Sequence, residues 1–453
     1  MRAMGIDMGT TTISVIIIDG ESGELIKSRT IPHNAFMNGE LPSSRIQDPD
    51  KLLLLVQQAV EEMTGECGVP DSIGMTGQMH GVLYVDEEGK AVSPLYTWQD
   101  GSGNERMEDG RTYAQALLES AGAAAAGYGL TTHFYLQKNG RIPGRAKKMT
   151  TISDYIAMRL CGSKEPVIAM DMAASWGCFD LEKGEFFLDK LENTGVDISY
   201  LPKVTKGHGV MGNTPSGIPV TVSMGDNQAS VLGSVRDLSD TVLVNIGTGS
   251  QVSFGTEKFH DAQGSIELRP CTEKLYLMAG SGLCGGRAYA MLEQFYREAS
   301  GKSKDQELYS VMEAQARDFL KAYGKENAWK IRTTFSGTRS NPQERGSIRD
   351  ISVENFHPGA MTVGMIQGIL EELYEMYGEM CRMTGTKAVR LVGSGNGVRK
   401  NPLMRELAES LFGMKMNIPV CKEEAAYGAA LQSLAAAGLY GSMSELQQKI
   451  KYL

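Results

Sequence analysis

The chain has 453 residues, of which 42% are apolar and 22% charged, a globular profile long enough for two or three domains. The net charge of −9 disfavours nucleic acid or an anionic membrane as a partner, although loops and metal ions can still bind anionic small ligands. Seven cysteines without a C-x-x-C pair disfavour a disulfide scaffold or a zinc site. Since neither a signal peptide nor a membrane-length apolar run stands out, we expect a reduced, cytoplasmic protein.

The first elements that the sequence predicts are two strands around a tight turn, over residues 4–19, where glycines precede the β-branched run "TTISVIIID". Asp48 and Pro49 then fit the N-cap and the first position of a helix. Residues 69–90 return to strand, with a turn at residues 87–89. This alternation of strand, helix and strand predicts an α/β architecture.

The pattern of the opening strands recurs near the middle of the chain. "GIDMGTTTISV" at residues 5–15 has a counterpart in "VNIGTGSQVSF" at residues 244–254. Each places a polar residue, Asp7 or Asn245, before a Gly-Thr turn and a second strand. Coincidence between two short turns stays open, but the position of the copies favours a duplicated chain.

A third glycine-rich turn, "LVGSGNGVRKNPLMRELAESLFG" at residues 391–413, follows a strand and leads into a helix. Asn401 and Pro402 fit the N-cap and first position of that helix, and Gly413 fits its end. The spacing matches neither a GxGxxG dinucleotide fingerprint nor a P-loop. Three such turns at strand ends are nevertheless suited to phosphate, because glycine lets backbone N–H groups approach an anion and hydroxyls add donors.

Asp226 lies in "SMGDNQASVLG", residues 223–233, where small residues predict the start of a helix. A carboxylate there could cap the helix or serve as a base in a cleft, and the stretch alone leaves both open. A helix N-terminus stabilises a carboxylate, which predicts an ionised Asp226 at neutral pH. Together with Asp7, which also adjoins a glycine turn, it suggests a nucleotide and a divalent metal.

Taken in order, these motifs resemble the FGGY-type carbohydrate kinases, part of the larger group of duplicated ribonuclease-H-like ATPases that includes hexokinase and actin. The resemblance runs over nearly the whole chain and is carried by "GIDMGTT", "GQMHG", "TWQDG", "GDNQAS", "NIGTGS" and "GSGNGVRKNPL". It implies an α/β fold with two ribonuclease-H-like domains and an interdomain cleft. We place the sugar and the catalytic base in residues 1–237 and the nucleotide in residues 238–453.

The resemblance also implies a role for each motif, with Asp226 as the catalytic base. The sugar would contact Gln78, Met79, His80, Trp98, Gln99, Asp100, Asp226 and Asn227. The cofactor ATP would contact two phosphate loops and an adenosine loop, at Gly9, Thr10, Thr11, Gly247, Thr248, Gly393, Ser394, Gly395, Asn396 and Asn401. Mg²⁺ would be held by Asp7 and Asp226, and domain closure would exclude water.

The activity that this resemblance implies is transfer of the γ-phosphate of ATP to the distal primary hydroxyl of a ketose. "TWQDG", "TISDYIAMRLCG" and "MAASWGCFD" are most similar to sedoheptulokinases, whereas "GQMHG" is shared with xylulokinases. We therefore predict sedoheptulose ahead of xylulose, with another sugar or polyol as the alternative. The alternative from a different functional class is an actin-like ATPase that acts as a sensor or activator. A homodimer is left open.

Several candidate residues also have purely structural interpretations. A lone histidine such as His80 is more often structural than catalytic, and Trp98 could belong to the core. Asn401 could be only a helix cap. Asp154 and Asp171 could be surface charges or helix caps, and we rank them as secondary candidates.

Overall fold

The protein is described by a computed structural model that covers residues 1–262, 264–338, 341 and 343–453. Its contacts divide the chain into two units. Unit 1 comprises Met1–Arg236, Arg269–Leu275 and Glu423–Lys451, and unit 2 comprises Asp237–Leu268, Tyr276–Lys422 and Tyr452–Leu453. This division is not a single cut between residues 237 and 238, because two later segments return to unit 1. The domain boundaries given above stay a prediction.

The strands that precede Asp237 are short except at the start of the chain. They are β1 (Arg2–Met8), β2 (Thr12–Asp19), β3 (Leu25–Pro32), β4 (Phe36–Met37), β5 (Ile46–Gln47), β6 (Ser72–Gly77), β7 (Leu83–Val85), β8 (Leu95–Tyr96), β9 (Lys148–Thr150), β10 (Val167–Ala169), β11 (Phe179–Asp180), β12 (Glu185–Phe186), β13 (Lys203–Thr205), β14 (Val210–Asn213), β15 (Pro219–Thr221) and β16 (Met224–Gly225). The helices are α1 (Pro49–Cys67), α2 (Tyr113–Ala121), α3 (Gly129–Lys138), α4 (Ile152–Leu160), α5 (Met170–Ser175), α6 (Leu188–Thr194) and α7 (Asp226–Ser234).

The rest of the chain repeats the alternation with longer helices. Its strands are β17 (Thr241–Ile246), β18 (Ser250–Thr256), β19 (Ile266–Thr272), β20 (Leu275–Gly282), β21 (Lys330–Arg332), β22 (Ser347–Arg349), β23 (Arg390–Ser394) and β24 (Met416–Asn417). Its helices are α8 (Gly286–Ala299), α9 (Tyr309–Tyr323), α10 (Pro358–Thr384), α11 (Gly395–Lys400), α12 (Pro402–Phe412), α13 (Glu424–Ala436) and α14 (Met443–Gln447). Short 3₁₀ turns lie at Ser102–Asn104, Ile198–Tyr200 and Lys325–Asn327.

Unit 1 is built on a mixed sheet with the order β14-β15-β6-β1-β2-β3, in which β16 also pairs with β6. As predicted, β1 and β2 form an antiparallel pair around the first glycine turn. β1, β6 and β16 run parallel, with Asp7 opposite Thr76 and Gly225 opposite Gly77. Because the carboxyl ends of parallel strands share one edge, this pairing places Asp7 and Asp226 at the same edge, on either side of β6.

The other large sheet, with the order β19-β20-β18-β17-β23-β24, lies mainly in unit 2 and repeats the central order of the first, with β20-β18-β17-β23 in the places of β3-β2-β1-β6. β17 and β18 are antiparallel around the second Gly-Thr turn, and β17 runs parallel to β23. Asn245 lies opposite Ser394, at the position that Asp7 has relative to Thr76 in unit 1. The two Gly-Thr turns therefore lie in different sheets of the same pattern, as expected for a duplicated chain.

The two faces of the unit 1 sheet are covered differently. Ile6 packs into an apolar cluster with Leu52 of α1 and Ile156 of α4. On the opposite face, Gly5 and its strand partner Gly74 lie against the backbone of α13, where an added Cβ would collide with a carbonyl oxygen of that helix. Glycine at both positions thus lets α13 approach the sheet directly.

The helix boundaries confirm the capping signals in the sequence. Asp48 caps α1, accepting hydrogen bonds from the backbone N–H groups of residues 50 and 51, and Pro49 opens the helix. Asn401 and Pro402 do the same for α12, which ends at Gly413 in the left-handed conformation. Among the residues that the structure describes, no helix is both long and apolar enough to cross a membrane.

Candidate active site

The predicted first phosphate loop follows β1, and three side chains of unit 1 fix it. The Gln47 side chain donates to the carbonyl oxygen of Thr10 over 2.7 Å, and Trp98 Nε1–H donates to Thr10 Oγ1 over 2.9 Å. His33 Nε2 lies 3.2 Å from the carbonyl oxygen of Gly9, and burial lowers the pKa of this histidine. Thr11 is exposed. These hydrogen bonds therefore fix Gly9 and Thr10 of the loop, whereas Thr11 at its tip stays accessible.

Asp7, at the end of β1, has an uncompensated carboxylate. Its Oδ1 atom is enclosed and has no hydrogen-bond partner among the residues that the structure describes. Burial, with smaller contributions from the charges of Asp226 and Glu423, raises the pKa of Asp7 to about 7. A buried carboxylate facing other acids is unfavourable unless a proton or a cation neutralises it, so this edge of the sheet is suited to a cation.

Asp226 is the first residue of α7, and Gly225 occupies the N-cap position. Its Oδ1 atom accepts a hydrogen bond from the backbone N–H of Asn227 over 2.7 Å. The helix dipole alone would lower the pKa of Asp226. The shift has the opposite direction, because burial raises this pKa to about 6, although the hydrogen bond from Asn227 and the charge of Arg269 act to lower it. A pKa of about 6 still leaves mostly carboxylate at neutral pH.

Arg269 is a site residue that the sequence analysis missed. It belongs to β19, in the short segment whose contacts assign it to unit 1. Its guanidinium donates to Oδ1 of Asn227 over 2.9 Å, and its charge acts to lower the pKa of Asp226. The neighbouring carbonyl oxygen of Pro270 accepts a hydrogen bond from Gln228 Nε2 over 3.0 Å. β19 therefore holds the first turn of α7 and brings a cation beside the candidate base.

His80 has a strained backbone, with φ at 72°. Its Nδ1 atom lies 2.6 Å from the carbonyl oxygen of Ser175, and its ring stacks on Tyr128 with centroids 4.6 Å apart. A carbonyl oxygen can only accept, so Nδ1 of His80 carries a proton. The strain and the fixed ring favour a functional His80 over a purely structural one.

The other predicted sugar contacts differ in exposure. Trp98 is 46% exposed, which excludes the core interpretation, and Gln99 is exposed beside it. Asp100 is buried, and its carboxylate accepts from the backbone N–H groups of Arg45 at 2.9 Å and Ser102 at 3.0 Å. Asp100 thus orders the loop that presents its two neighbours.

Gln78 and Met79 lie deeper than these loop residues. Gln78 is buried and donates through Nε2 to Gln47 over 3.1 Å, while its Oε1 atom has no partner among the described residues. This orphaned amide oxygen can accept from a ligand hydroxyl. Met79 is apolar core and lies close to Gly225, so its side chain supports the segment before Asp226.

The predicted second phosphate loop, in unit 2, contacts the start of α8. The backbone N–H groups of Gly286 and Arg287 donate to the carbonyl oxygens of Gly247 and Thr248, over 2.9 and 3.0 Å. Thr248 itself is exposed. As in unit 1, the loop carbonyls have partners and the hydroxyl-bearing tip is accessible.

The predicted adenosine loop is more regular than expected. Gly393 and Ser394 end β23, and residues from Gly395, with φ at 82°, form the short helix α11 rather than an open turn. Asn396 is exposed, whereas the Oγ atom of Ser394 is buried without a partner among the described residues. Asn401 caps α12, accepting from the backbone N–H of Met404 over 3.0 Å. The cap interpretation of Asn401 is confirmed, and its contact with adenosine stays a prediction.

Comparison with known proteins identifies the family. Residues 2–239 match the model of the N-terminal domain of the FGGY family of carbohydrate kinases, and residues 242–437 match that of the C-terminal domain. The chain belongs to the FGGY family of carbohydrate kinases. It is therefore a sugar kinase, a phosphotransferase with an alcohol group as acceptor, and kinase activity implies the use of ATP. The prediction of two ribonuclease-H-like domains is confirmed.

Individual relatives of this FGGY kinase cover nearly its whole length. It is 28% identical to a sedoheptulokinase from Mus musculus, over 95% of this chain and 97% of the relative. It is 22% identical to a xylulose kinase from Lactococcus lactis subsp. lactis (strain IL1403), over 97% and 89% of the two chains. The solved structure of gluconate kinase from Lactobacillus acidophilus matches with a TM-score of 0.85 at 20% identity, covering 100% of this chain and 92% of that one. The last similarity supports the fold alone.

The interpretation of Asp154 and Asp171 as surface charges is wrong for this kinase. Asp154 is 0% exposed and Asp171 is 2% exposed. Asp154 accepts a hydrogen bond from Thr151 Oγ1 over 2.7 Å and from the backbone N–H of Ser223 over 2.9 Å. Burial is the main cause that raises the pKa of Asp154 to about 7. Both carboxylates lie in the interior of unit 1, near the segment that leads to Asp226.

The raised pKa of Asp154 predicts a specific effect of pH on stability. Because its pKa rises from 3.8 to about 7 on folding, the stability that it contributes is fully present below pH 4 and is lost as pH rises through 7. Asp154→Asn removes this loss, so its free energy of unfolding relative to wild type should increase between pH 5 and pH 8. We expect an increase of at least about 1.4 kcal/mol, equivalent to one pKa unit. Urea unfolding of both proteins at several pH values measures it, and a difference that is constant with pH would contradict it.

Proposed function

We propose that this FGGY kinase transfers the γ-phosphate of ATP to the distal primary hydroxyl of a ketose, sedoheptulose ahead of xylulose. The observation that carries the substrate assignment is the similarity to the mouse sedoheptulokinase over nearly the full length of both chains. The stretches "TWQDG" and "MAASWGCFD" support it, because they include the exposed Trp98 and the Ser175 that fixes His80.

In this proposal Asp226 is the general base. Its carboxylate accepts the proton of the ketose hydroxyl while the oxygen forms a bond to the γ-phosphorus. The bond from that phosphorus to the bridging oxygen breaks, and ADP leaves with the electron pair. Arg269 supports this role because its charge acts against the rise in the pKa of Asp226 that burial causes. Its hydrogen bond to Asn227 also holds the first turn of α7.

The ketose would bind to donors and acceptors that unit 1 already orients. His80 would present its fixed imidazole ring, and Gln78 its Oε1 atom, which has no partner among the described residues. The exposed ring of Trp98 would form an apolar wall against the carbon chain, with Gln99 as a polar neighbour. Asp100 would act by ordering this loop, since backbone N–H groups already engage both of its oxygens.

The nucleotide would bind to the accessible loop tips. Thr10, Thr11 and Thr248 would contact the phosphates, and residues 393–401 the adenosine. Mg²⁺ fits the acidic edge of unit 1, because Oδ1 of Asp7 is buried without a partner among the described residues and a neighbouring acid raises its pKa. Asp7 and Asp226 would hold the ion, partly through water, and when bound it would offset negative charge on the phosphates.

A substrate panel tests the assignment. We expect sedoheptulose to give the highest kcat/KM among C5 to C7 ketoses, aldoses, gluconate and glycerol in a coupled assay of ADP release. Xylulose is two CHOH groups shorter than sedoheptulose and would lose the corresponding contacts, so it should follow by about tenfold or more. Mass and ³¹P NMR spectra of the product should show a phosphate ester at the distal primary carbon. Activity confined to glycerol or to an aldose would refute the ketose assignment, and sugar-independent ATP hydrolysis would favour the sensor alternative.

A further inference from the structure

Two buried carboxylates hold the segment that leads from β15 to the candidate base. Asp154 accepts from the backbone N–H of Ser223 over 2.9 Å, and Asp171 accepts from that of Gly225 over 2.8 Å. Ser223 and Gly225 lie three residues and one residue before Asp226. The backbone path into α7 is therefore fixed by two buried carboxyl acceptors, one on either side of Met224.

Asp171 has a second buried partner on its other oxygen. His208 Nε2 lies 2.9 Å from Asp171 Oδ1, and both side chains are almost completely buried. Burial acts to lower the pKa of His208, but the charge and hydrogen bond of Asp171, with Asp154, outweigh it and raise the pKa. Removing His208 would leave Asp171 with an unpaired oxygen in the interior, so the histidine fixes the orientation of the carboxylate.

The short helix α5 connects this contact to the sugar side of the site. Asp171 lies in its first turn, and Ser175 at its end holds His80 through both the backbone and the ring. One six-residue helix thus positions the base segment at one end and a predicted sugar contact at the other.

We propose that Asp171, oriented by His208, is a positioning residue that sets the location of Asp226 relative to the ketose. The proposal rests on the base role of Asp226 proposed above. A buried carboxyl–histidine pair typically contributes little net stability, which argues that this pair serves the site more than the fold. Small displacements of a reacting group are costly, since an error of about 1 Å can lower a rate by about 10²-fold.

The test is a double-mutant cycle between Asp171→Ala and Asp226→Asn. We expect Asp171→Ala to lower kcat by about tenfold to hundredfold in the wild-type background, with KM for ATP changed less than about threefold. In the Asp226→Asn background the same change should cost less than about threefold, because the base it positions is already absent. Asp171→Asn should restore most of the activity, since its amide oxygen can still accept from the N–H of Gly225.

A matched control is His133→Gln in the same unit. His133 is also a buried histidine, bound to the Tyr84 hydroxyl at 2.7 Å and to the carbonyl oxygen of Asp197 at 3.1 Å, remote in sequence from the base segment. Its kcat should stay within about twofold of wild type, as for other residues that only support the fold. If Asp171→Ala does not fold, His208→Ala replaces it in the double-mutant cycle. We expect His208→Ala to lower kcat by about threefold to tenfold.

The outcomes separate the two proposals. Equal losses from Asp171→Ala in both backgrounds, or no loss in either, would refute the positioning role and leave the base role of Asp226 intact. Full activity of Asp226→Asn alone would refute the base role itself. A loss from His133→Gln as large as that from Asp171→Ala would assign the effect to general destabilisation of unit 1.

Discussion

Replacing Asp226 with asparagine should lower kcat by at least about 100-fold, the low end of the general-base contribution. The fold should persist, because Gly225 occupies the N-cap and an amide oxygen can still accept from the N–H of Asn227. The variant also removes a buried charge whose pKa burial raises to about 6, so the melting temperature should not fall. The loss should therefore appear in chemistry and not in folding.

Three measurements separate these effects: single-turnover rates at saturating ketose and ATP, the melting temperature, and ATP binding by calorimetry. Asp189→Asn is a matched control, since Asp189 is an exposed acid in the first turn of α6. Its kcat should equal that of wild type. A variant of Asp226 that melts early but turns over normally when folded would show that this carboxylate serves only the helix.

Features encoded by neighbouring residues were predictable from the sequence. The β1–β2 hairpin follows from a glycine turn beside β-branched residues, and the starts of α1 and α12 follow from Asp48-Pro49 and Asn401-Pro402. Each signal lies within a few residues of the element that it sets, so no knowledge of tertiary contacts is needed. The repeat of the Gly-Thr turn also favoured a duplicated chain, and the two large sheets share the same order in their four central strands.

The electrostatics of the site were not predictable in the same way. The helix-dipole argument gave the wrong direction for the pKa of Asp226, because burial depends on segments that are distant in sequence and outweighs the dipole. Asp154 and Asp171 look like ordinary surface acids, since their partners Ser223 and Gly225 lie more than fifty residues away. The signal that could have been used is weak: each acid lies in the first turn of a short helix, α4 or α5, that the sequence analysis did not predict.

Long-range packing also decides which parts of the chain build unit 1. Helix α13 lies far along the sequence, in the half assigned to the nucleotide, yet Gly5 and Gly74 fit against its backbone. Gly428 of this helix likewise meets the backbone of α7, which Asp226 opens. Arg269 reaches the same helix from β19, and no motif marks it. Such close contacts require small residues, and the sequence does show glycine at these positions. It does not show which helix packs against them, so these contacts can be identified only from the structure.

The second largest effect is expected for Asp7→Ala, which should weaken the use of Mg·ATP. Burial, Asp226 and Glu423 raise the pKa of Asp7 to about 7, and its Oδ1 atom has no partner among the described residues. A cation held partly through water would offset these charges, and losing one such support typically costs about 10- to 100-fold in metal affinity. We expect kcat/KM for ATP to fall by a similar factor, and more magnesium to restore part of it.

Stability should respond to Asp7→Ala in the opposite direction from activity. Removing the Asp7 carboxylate, whose Oδ1 atom has no partner among the described residues, relieves repulsion with Asp226 and Glu423, so the melting temperature without magnesium should stay level or rise. Asp19→Ala is the matched control: it ends β2, opposite Arg2 at the start of β1, and its carboxylate binds the backbone N–H groups of residues 21 and 22. Its kcat/KM should match wild type at every magnesium concentration. Full turnover of Asp7→Ala at ordinary magnesium would make Asp7 a structural residue of the turn, and a lower melting temperature would show that its carboxylate stabilises the fold.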